Sequence, residues 1–365
     1  MYIILIGIVL RILFAYFNAF HGPLLGADAD AIRFHDTAIA ISEGTKNFNM
    51  GVGWVYASIL GIIYKYSFDS IFFGSLFSIL AWLISAIILL KLIKILKIES
   101  SYKNLILILY SLWPSVLIFS SVTLREPFQL LFFNLAILSF LKIFVENKAK
   151  YSFLFFLSLI LLSYLHKVFV IYSGIFALFY FLFYLKLLRI QKIYVLLAIF
   201  SIIVFLIYLN FGQLLDYFYS KVPLDQKHFF EILEIHINNM TKSRASYQVE
   251  RVIIFNYQDF LNYILTSTKN YFLQPTPTNQ ELFIDFMLYC ENLIRLIIIF
   301  FILFKLLNVN MGNYRVYLAL SIVLFSSEIG WALGTNNWGT AVRHHIPSFG
   351  LLFVLAFFNY NNSKN

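Results

Sequence analysis

Long apolar runs, each ended by a short polar break, follow one another along nearly the whole chain. Ten of them lie near 2–20, 69–90, 104–121, 124–145, 151–166, 168–186, 193–210, 287–307, 315–333 and 343–359. A hydrocarbon core about 30 Å thick takes about 20 helical residues to cross, so each run predicts a transmembrane helix. The runs are continuous, whereas a membrane β-barrel would alternate with period two. An eleventh run, 51–64, is short and interrupted by glycine. It predicts either a further crossing or a helix lying along the interface. The expected fold class is therefore all-α, a polytopic transmembrane bundle of ten to eleven spans.

Charge decides how 51–64 is read. If it does not cross, the basic groups Lys91 to Lys103, Lys142 to Lys150, Lys186 to Lys192, Lys305 to Arg315 and Lys364 all fall on one side. The positive-inside rule makes that side cytoplasmic. If 51–64 did cross, every later cluster would face outward. Ten crossings with both termini inside follow, and 51–64 lies on the outer interface. The polar segments 26–36, 125–126, 166–167, 211–286 and 336–345 then share the outer face.

The loop 211–286 carries its own pattern. Phe229, Phe230, Leu233 and Ile237 recur at helical spacing, and so do Phe260, Leu261, Ile264, Leu265 and Phe272. Both stretches predict amphipathic helices resting on the membrane or over the bundle. The segment 274–279, with Pro275 and Pro277, breaks helicity before the next span. One integral membrane domain covers 1–365, with outer loops 21–68 and 211–286 carrying interfacial helices.

Composition sharpens this picture in three places. With 61% hydrophobic residues and a mean hydropathy of +0.81, no soluble domain could hide the apolar surface. The net charge of +9 invites a nucleic-acid reading, but the cations sit in small clusters between spans, as topology signals do. No nucleic-acid partner is expected. The single cysteine, Cys290, excludes a disulfide framework and a cysteine metal cluster. The stretch 1–20 lacks a basic leader and holds Arg11 mid-span, so it reads as a retained helix, not a signal peptide.

Against only 12% charged residues, the stretch Gly26-Ala27-Asp28-Ala29-Asp30-Ala31-Ile32-Arg33-Phe34-His35-Asp36 stands out. Spaced as Asp-x-Asp, Asp28 and Asp30 can take a hydroxyl's proton or hold a divalent cation against phosphate. They can also belong to a solvated loop, with His35 and Asp36 starting a helix. Arg11 within its span requires a polar partner or cavity, or else snorkels to the interface. Arg125 precedes Glu126-Pro127 at a helix start, where an arginine can bind phosphate and a glutamate can serve the helix end. His166-Lys167 break two spans, as a tight turn or a binding pair. Glu328 lies inside a span and requires a partner. Asn336, Asn337, Thr340, Arg343, His344 and His345 form a second polar cluster. An arginine flanked by histidines suits a pyrophosphate. Adjacent histidines on a helix point about 100° apart and rarely share one metal ion, so no metal site is expected there.

The order of these parts resembles polytopic C-type glycosyltransferases. The resemblance rests on Arg11 in a first helix, Asp28/Asp30 in the following outer loop, and the 51–64 segment after it. The phrases Thr123-Leu124-Arg125-Glu126-Pro127, Pro275-x-Pro277 with Glu291 downstream, and Gly339-Thr340-Ala341-Val342-Arg343-His344 look closer to Wzy-type repeat-unit polymerases of bacterial capsule and O-antigen clusters. Asp-Ala-Asp stands where many C-type enzymes carry Asp-Glu, and the large outer domain of eukaryotic-type members is absent. The resemblance implies a GT-C-like layout in the bacterial inner membrane with the site facing the periplasm. It implies polymerisation of undecaprenyl-pyrophosphate-linked oligosaccharide units, without nucleotide sugar. Asp28 and Asp30 would be catalytic. Arg11, Arg125, Glu126, His166, Lys167, Arg343, His344 and His345 would bind the lipid-linked donor. The residues establish no cofactor, and a divalent cation is a candidate. Other membrane proteins of polysaccharide assembly are candidate partners. Two other expectations are carried: a C-type enzyme adding one sugar from a polyprenyl-phosphate donor, and a lipid-linked oligosaccharide flippase.

Overall fold

A computed structural model describes residues 2–24, 28–49, 51–184, 245–247, 257–307 and 314–358. Every regular element among them is helical, apart from an isolated antiparallel bridge between Ser246 and Asn337. In chain order the α-helices are α1 (Tyr2–Phe20), α2 (Asp28–Ser42), α3 (Val55–Lys65), α4 (Ile71–Ile95), α5 (Ser100–Leu112), α6 (Pro114–Phe119) and α7 (Glu126–Phe144). There follow α8 (Ser152–Leu165), α9 (Val168–Tyr184), α10 (Tyr257–Leu273), α11 (Phe283–Leu306), α12 (Tyr314–Leu333), α13 (Trp338–His345) and α14 (Phe349–Phe357). Among the described residues, six helical segments are long and apolar enough to cross a membrane: α1, α4, α7, α11, α12 and the α13–α14 segment.

Several expected spans differ in detail. The run near 104–121 is two helices, α5 and α6. Pro114 at the first turn of α6 has no N–H to continue the α5 ladder, so the chain restarts there. The final span begins at Trp338 rather than near 343 and bends through a 3-10 turn over Ile346–Ser348, at Pro347. Arg343, His344 and His345 therefore lie within the helical segment, not at its mouth. The 51–64 run forms α3, whose 11 residues span only about 16 Å at 1.5 Å per residue. It packs on α2. The helix expected around Phe260 to Phe272 exists as α10. The expected span 193–210 and the helix around Phe229 to Ile237 lie outside the described residues.

Packing explains the sequence pattern. On α1 the buried positions Ile4, Gly7, Arg11, Ala15 and Asn18 recur every three or four residues, while Leu5, Val9, Leu13 and Phe17 on the other faces stay exposed. Arg11 is fully buried and finds its polar partners in the protein. Its Nε donates to Ser120 Oγ at 2.6 Å, its Nη1 to the carbonyls of Gly7 and Ser111, and Trp82 lies 3.5 Å away under the guanidinium. A side chain at Gly7 would meet that indole, with a Cβ only 2.9 Å from Trp82. Between α4 and α7 small residues bring the backbones close, and hydroxyls and amides bond across. Ser78 Oγ donates to Leu124 O at 3.1 Å, and Asn134 Nδ2 donates to Ser85 Oγ at 2.9 Å. An aromatic layer from α7, α8 and α9 (Phe133, Phe140, Phe155, Tyr172, Phe176) completes this side of the core.

The two ends of the bundle differ. Lys94 and Lys142 close α4 and α7, and Lys305 near the end of α11 donates to the carbonyls of Ala356 and Phe358 at the end of α14. Those bonds satisfy helix-end carbonyls that have no partner of their own. The opposite end gathers the starts of α2, α7, α9 and α13 with the ends of α8 and α12, and there arginine, carboxylate and histidine side chains meet.

Candidate functional site

Asp30 lies in the first turn of α2, and Arg33 follows three residues later on the same face. Arg33 Nη2 stands 3.1 Å from Asp30 Oδ1. The other carboxylate oxygen, Oδ2, meets Arg343 Nη1 of α13 at 2.5 Å. That same Nη1 is 3.9 Å from Glu126 Oε1, at the first residue of α7. Arg125, the preceding residue, donates from Nη1 to the Gly53 carbonyl at 3.4 Å, and its guanidinium sits 5.5 Å from the Phe34 ring. Elements far apart in sequence thus bring three guanidiniums around two carboxylates. The balance is one positive charge. Arg125 Nε and Glu126 Oε2 are buried with no protein partner among the described residues.

Beside this group, Trp331 of α12 packs between two histidines. Its ring stacks on His344 at 3.8 Å and lies 4.4 Å from His166, and the two imidazoles are 5.8 Å apart. Thr335 Oγ1 is 2.7 Å from His344 Nδ1. His166 Nδ1 accepts the Val168 N–H at 3.3 Å, which leaves the neutral ring's proton on Nε2. Burial, then the positive charges of Arg125, Lys167 and Arg343, push His166 down to about 3. At neutral pH it is an uncharged hydrogen-bonding group.

Burial alone would raise the Asp30 carboxyl. Arg343, with Arg33 and Arg125, outweighs it and holds the group below its usual value of 3.8. A depressed carboxylate contributes stability that is full above its unfolded value and is lost as pH falls through the folded one. Thermal stability of Asp30→Asn and wild type is therefore expected to differ above pH 3.8 and to converge below it. Melting curves in detergent across that range check this; a gap that persists in acid would mean the ion pairs are not its source.

No family model, curated protein or solved structure matches this chain. What the site can do must come from its own groups. Arginines present donors in a planar fork suited to phosphate oxygens, and a carboxylate lies among them. Among the described residues, no group of three or more His, Cys, Asp or Glu side chains gathers in a metal-ligating arrangement.

Of the residues singled out in sequence, Asp30, Arg125, Glu126, His166, Arg343 and His344 come together. Lys167 is exposed at the rim, next to His166. Asp28 begins α2, and its side chain lies outside the described residues. Arg11 keeps to the Trp82 and Ser120 contacts described above. Asn337 caps α13, its side chain accepting the Thr340 N–H at 2.6 Å. Alongside runs a piece of the long loop, with Tyr247 N donating to Asn336 O and Trp338 N to Ala245 O. His35 is turned away and bonds Tyr64 Oη at 3.0 Å.

His345 faces a different direction from His344, as neighbours on a helix must. Its Nδ1 lies 2.5 Å from Glu328 Oε2, and Ser348 Oγ donates to the other oxygen of Glu328. This supplies the partner that Glu328 requires inside its span. Tyr271 packs its ring 4.2 Å from His345. Nearby, Arg295 is buried within electrostatic reach of Glu291, Glu328 and Tyr271, and Glu291 Oε1 accepts the Ser115 N–H at 2.8 Å. Arg295, Arg33, Trp331 and Thr335 were not anticipated. Arg295 stands in an apolar run, and an intramembrane charge is itself a signal. Arg33 follows Asp30 at helical spacing. Nothing local marks Trp331 or Thr335.

Proposed function

We propose that this chain is a membrane glycosyltransferase of surface-polysaccharide synthesis. It acts on a polyprenyl-(pyro)phosphate-linked glycan at the outer face of the bacterial inner membrane, with the joining of lipid-linked repeat units as the leading case. One observation carries the reading: Arg33, Arg125 and Arg343 converge on Asp30 and Glu126 with one positive charge in excess. The lysines that close α4, α7 and α11 lie at the other end of the bundle, which fits an inner face there and an outer site here. The sequence of α1, an acidic α2 and a short α3 is also consistent with a GT-C-like layout.

In this scheme the arginines hold the donor's pyrophosphate beside Asp30. The acceptor hydroxyl forms the new bond to the anomeric carbon as the bond from that carbon to the pyrophosphate oxygen breaks. The lipid pyrophosphate leaves with the electron pair, its added charge stabilised by the guanidiniums. The hydroxyl proton passes to the Asp30 carboxylate, or to Asp28 two residues earlier. Neutral His166 and His344 serve as hydrogen-bonding groups on the flank.

A transporter of lipid-linked oligosaccharide is a second reading, favoured by the ionisable groups Glu291, Arg295, Glu328 and His345 buried within α11, α12 and α13. Analysis of the lipid-linked glycans that accumulate on gene deletion separates the cases. Single complete repeat units on the outer leaflet are expected. Truncated units would favour a single-sugar transferase, complete units confined to the inner leaflet a transporter, and an unchanged lipid pool would sink all three.

A further inference from the structure

We propose that Trp54 is a stacking platform for a sugar ring, set beside the arginine cluster to receive the glycan of the lipid-linked substrate. The inference rests on the anion-binding reading above and adds the subsite that recognises carbohydrate. The chain has five tryptophans, and Trp82, Trp113, Trp331 and Trp338 are all at most 4% exposed. Trp54 is 36% exposed. A partly open indole beside a cluster of polar groups offers an apolar face to a partner that is apolar on one side and polar at its edge.

Its position is fixed from both sides. Gly53, immediately before it, donates its N–H to Tyr164 O at 3.0 Å and accepts Arg125 Nη1 on its carbonyl. Gly53 has φ +87, and a Cβ there would stand 3.0 Å from Arg125 Nη1, so glycine permits both the turn and the approach. On the other side, Ser58 Oγ bonds the N–H and the carbonyl of Asn49, closing the loop that leads into α3. The platform is therefore tied by one peptide to the guanidinium that helps form the anion site.

Chemistry identifies the occupant. A pyranose presents a face of C–H groups, weakly positive and apolar, ringed by hydroxyls. The indole face is negative and apolar and meets such a face well. The Arg33 guanidinium and the Lys46 ammonium lie 5.7 and 5.0 Å from the ring centroid, so a stacked sugar takes the part of the ring they leave open and meets their N–H groups at its rim. Arg33 in turn pairs with Asp30, which pairs with Arg343. A path of contacts thus runs from the sugar platform to the phosphate donors, in the order in which a sugar pyrophosphate presents its parts.

The test uses the full chain in lipid nanodiscs with two separate probes, a panel of soluble hexose and aminohexose oligosaccharides and inorganic pyrophosphate. Wild type is expected to retain oligosaccharide. Trp54→Ala should weaken that binding about tenfold or more, the scale of one stacked aromatic contact and the area it covers. Trp54→Phe should fall between, and both variants should bind pyrophosphate as wild type does. Equal oligosaccharide binding by Trp54→Ala, or none by wild type, overturns the platform. Loss of insertion or thermal stability in Trp54→Ala with oligosaccharide binding unchanged would make Trp54 an interfacial anchor instead. Pyrophosphate binding indifferent to Arg343→Gln would overturn the anion site while leaving the platform standing.

Discussion

Arg343→Lys is expected to lower the proposed transfer activity about 10²–10³-fold, the usual cost of losing one well-placed donor to developing charge. The variant should still fold and insert. Lysine keeps the positive charge that Asp30 and Glu126 face at 2.5 and 3.9 Å. What it loses is the planar fork, which can hold one carboxylate oxygen and present two parallel N–H groups to a phosphate. Arg343→Ala is a poorer test. It strips two partly or wholly buried carboxylates of a counter-ion, and a buried charge left alone typically costs about 3–5 kcal/mol of stability. Activity per inserted molecule and melting temperature, measured together, separate the two effects. Near-wild-type turnover in Arg343→Lys would mean that charge suffices and that no bidentate phosphate contact forms there.

The features legible in sequence were those written in short range. Apolar run length marked α1, α4, α7, α11 and α12, and the spacing of Phe260 to Phe272 marked α10. The Asp28-x-Asp30 stretch and the Arg343-His344-His345 triplet were visible as polar islands in an apolar chain. Their contact was not, since no local pattern states that residues 30 and 343 touch. That pairing depends on the first turn of α2 meeting the last turn of α13 beside the start of α7, which is a property of packing. The split roles of His344 and His345 follow from helix geometry, but the Glu328 that claims one of them and the Trp331 that claims the other lie on α12. Arg11 shows the reverse limit. Its cost inside a span was evident, and its remedy, carbonyls of Gly7 and Ser111 with Ser120 and Trp82, could only be read from the folded chain. The break at Pro114 was written plainly in the sequence, yet run length alone ran across it.

Asp30→Asn is expected to split binding from turnover. The asparagine keeps the shape of the side chain and can still accept from Arg343, but it carries no charge and cannot take a proton. Loss of a general base typically costs about 10²–10⁴-fold in rate. Affinity for pyrophosphate should rise, because Asp30 and the ligand compete for the same guanidiniums. The carboxylate occupies Arg343 and Arg33 at 2.5 and 3.1 Å, and these cations hold it ionised and only weakly basic. A pyrophosphate that draws Arg343 away relieves that hold, so Asp30 becomes a better proton acceptor when the donor is bound. In the proposed transferase, binding of the donor and creation of the base are then one event, which would keep the carboxylate from acting on water. Single-turnover rates and pyrophosphate affinity of Asp30→Asn test this together. Slow turnover with tighter binding supports the exchange, and activity that returns on adding Mg²⁺ or Mn²⁺ would assign Asp30 to a cation instead. If both quantities stay at wild-type values, Asp30 is a structural partner of Arg343 and the base must be sought at Asp28.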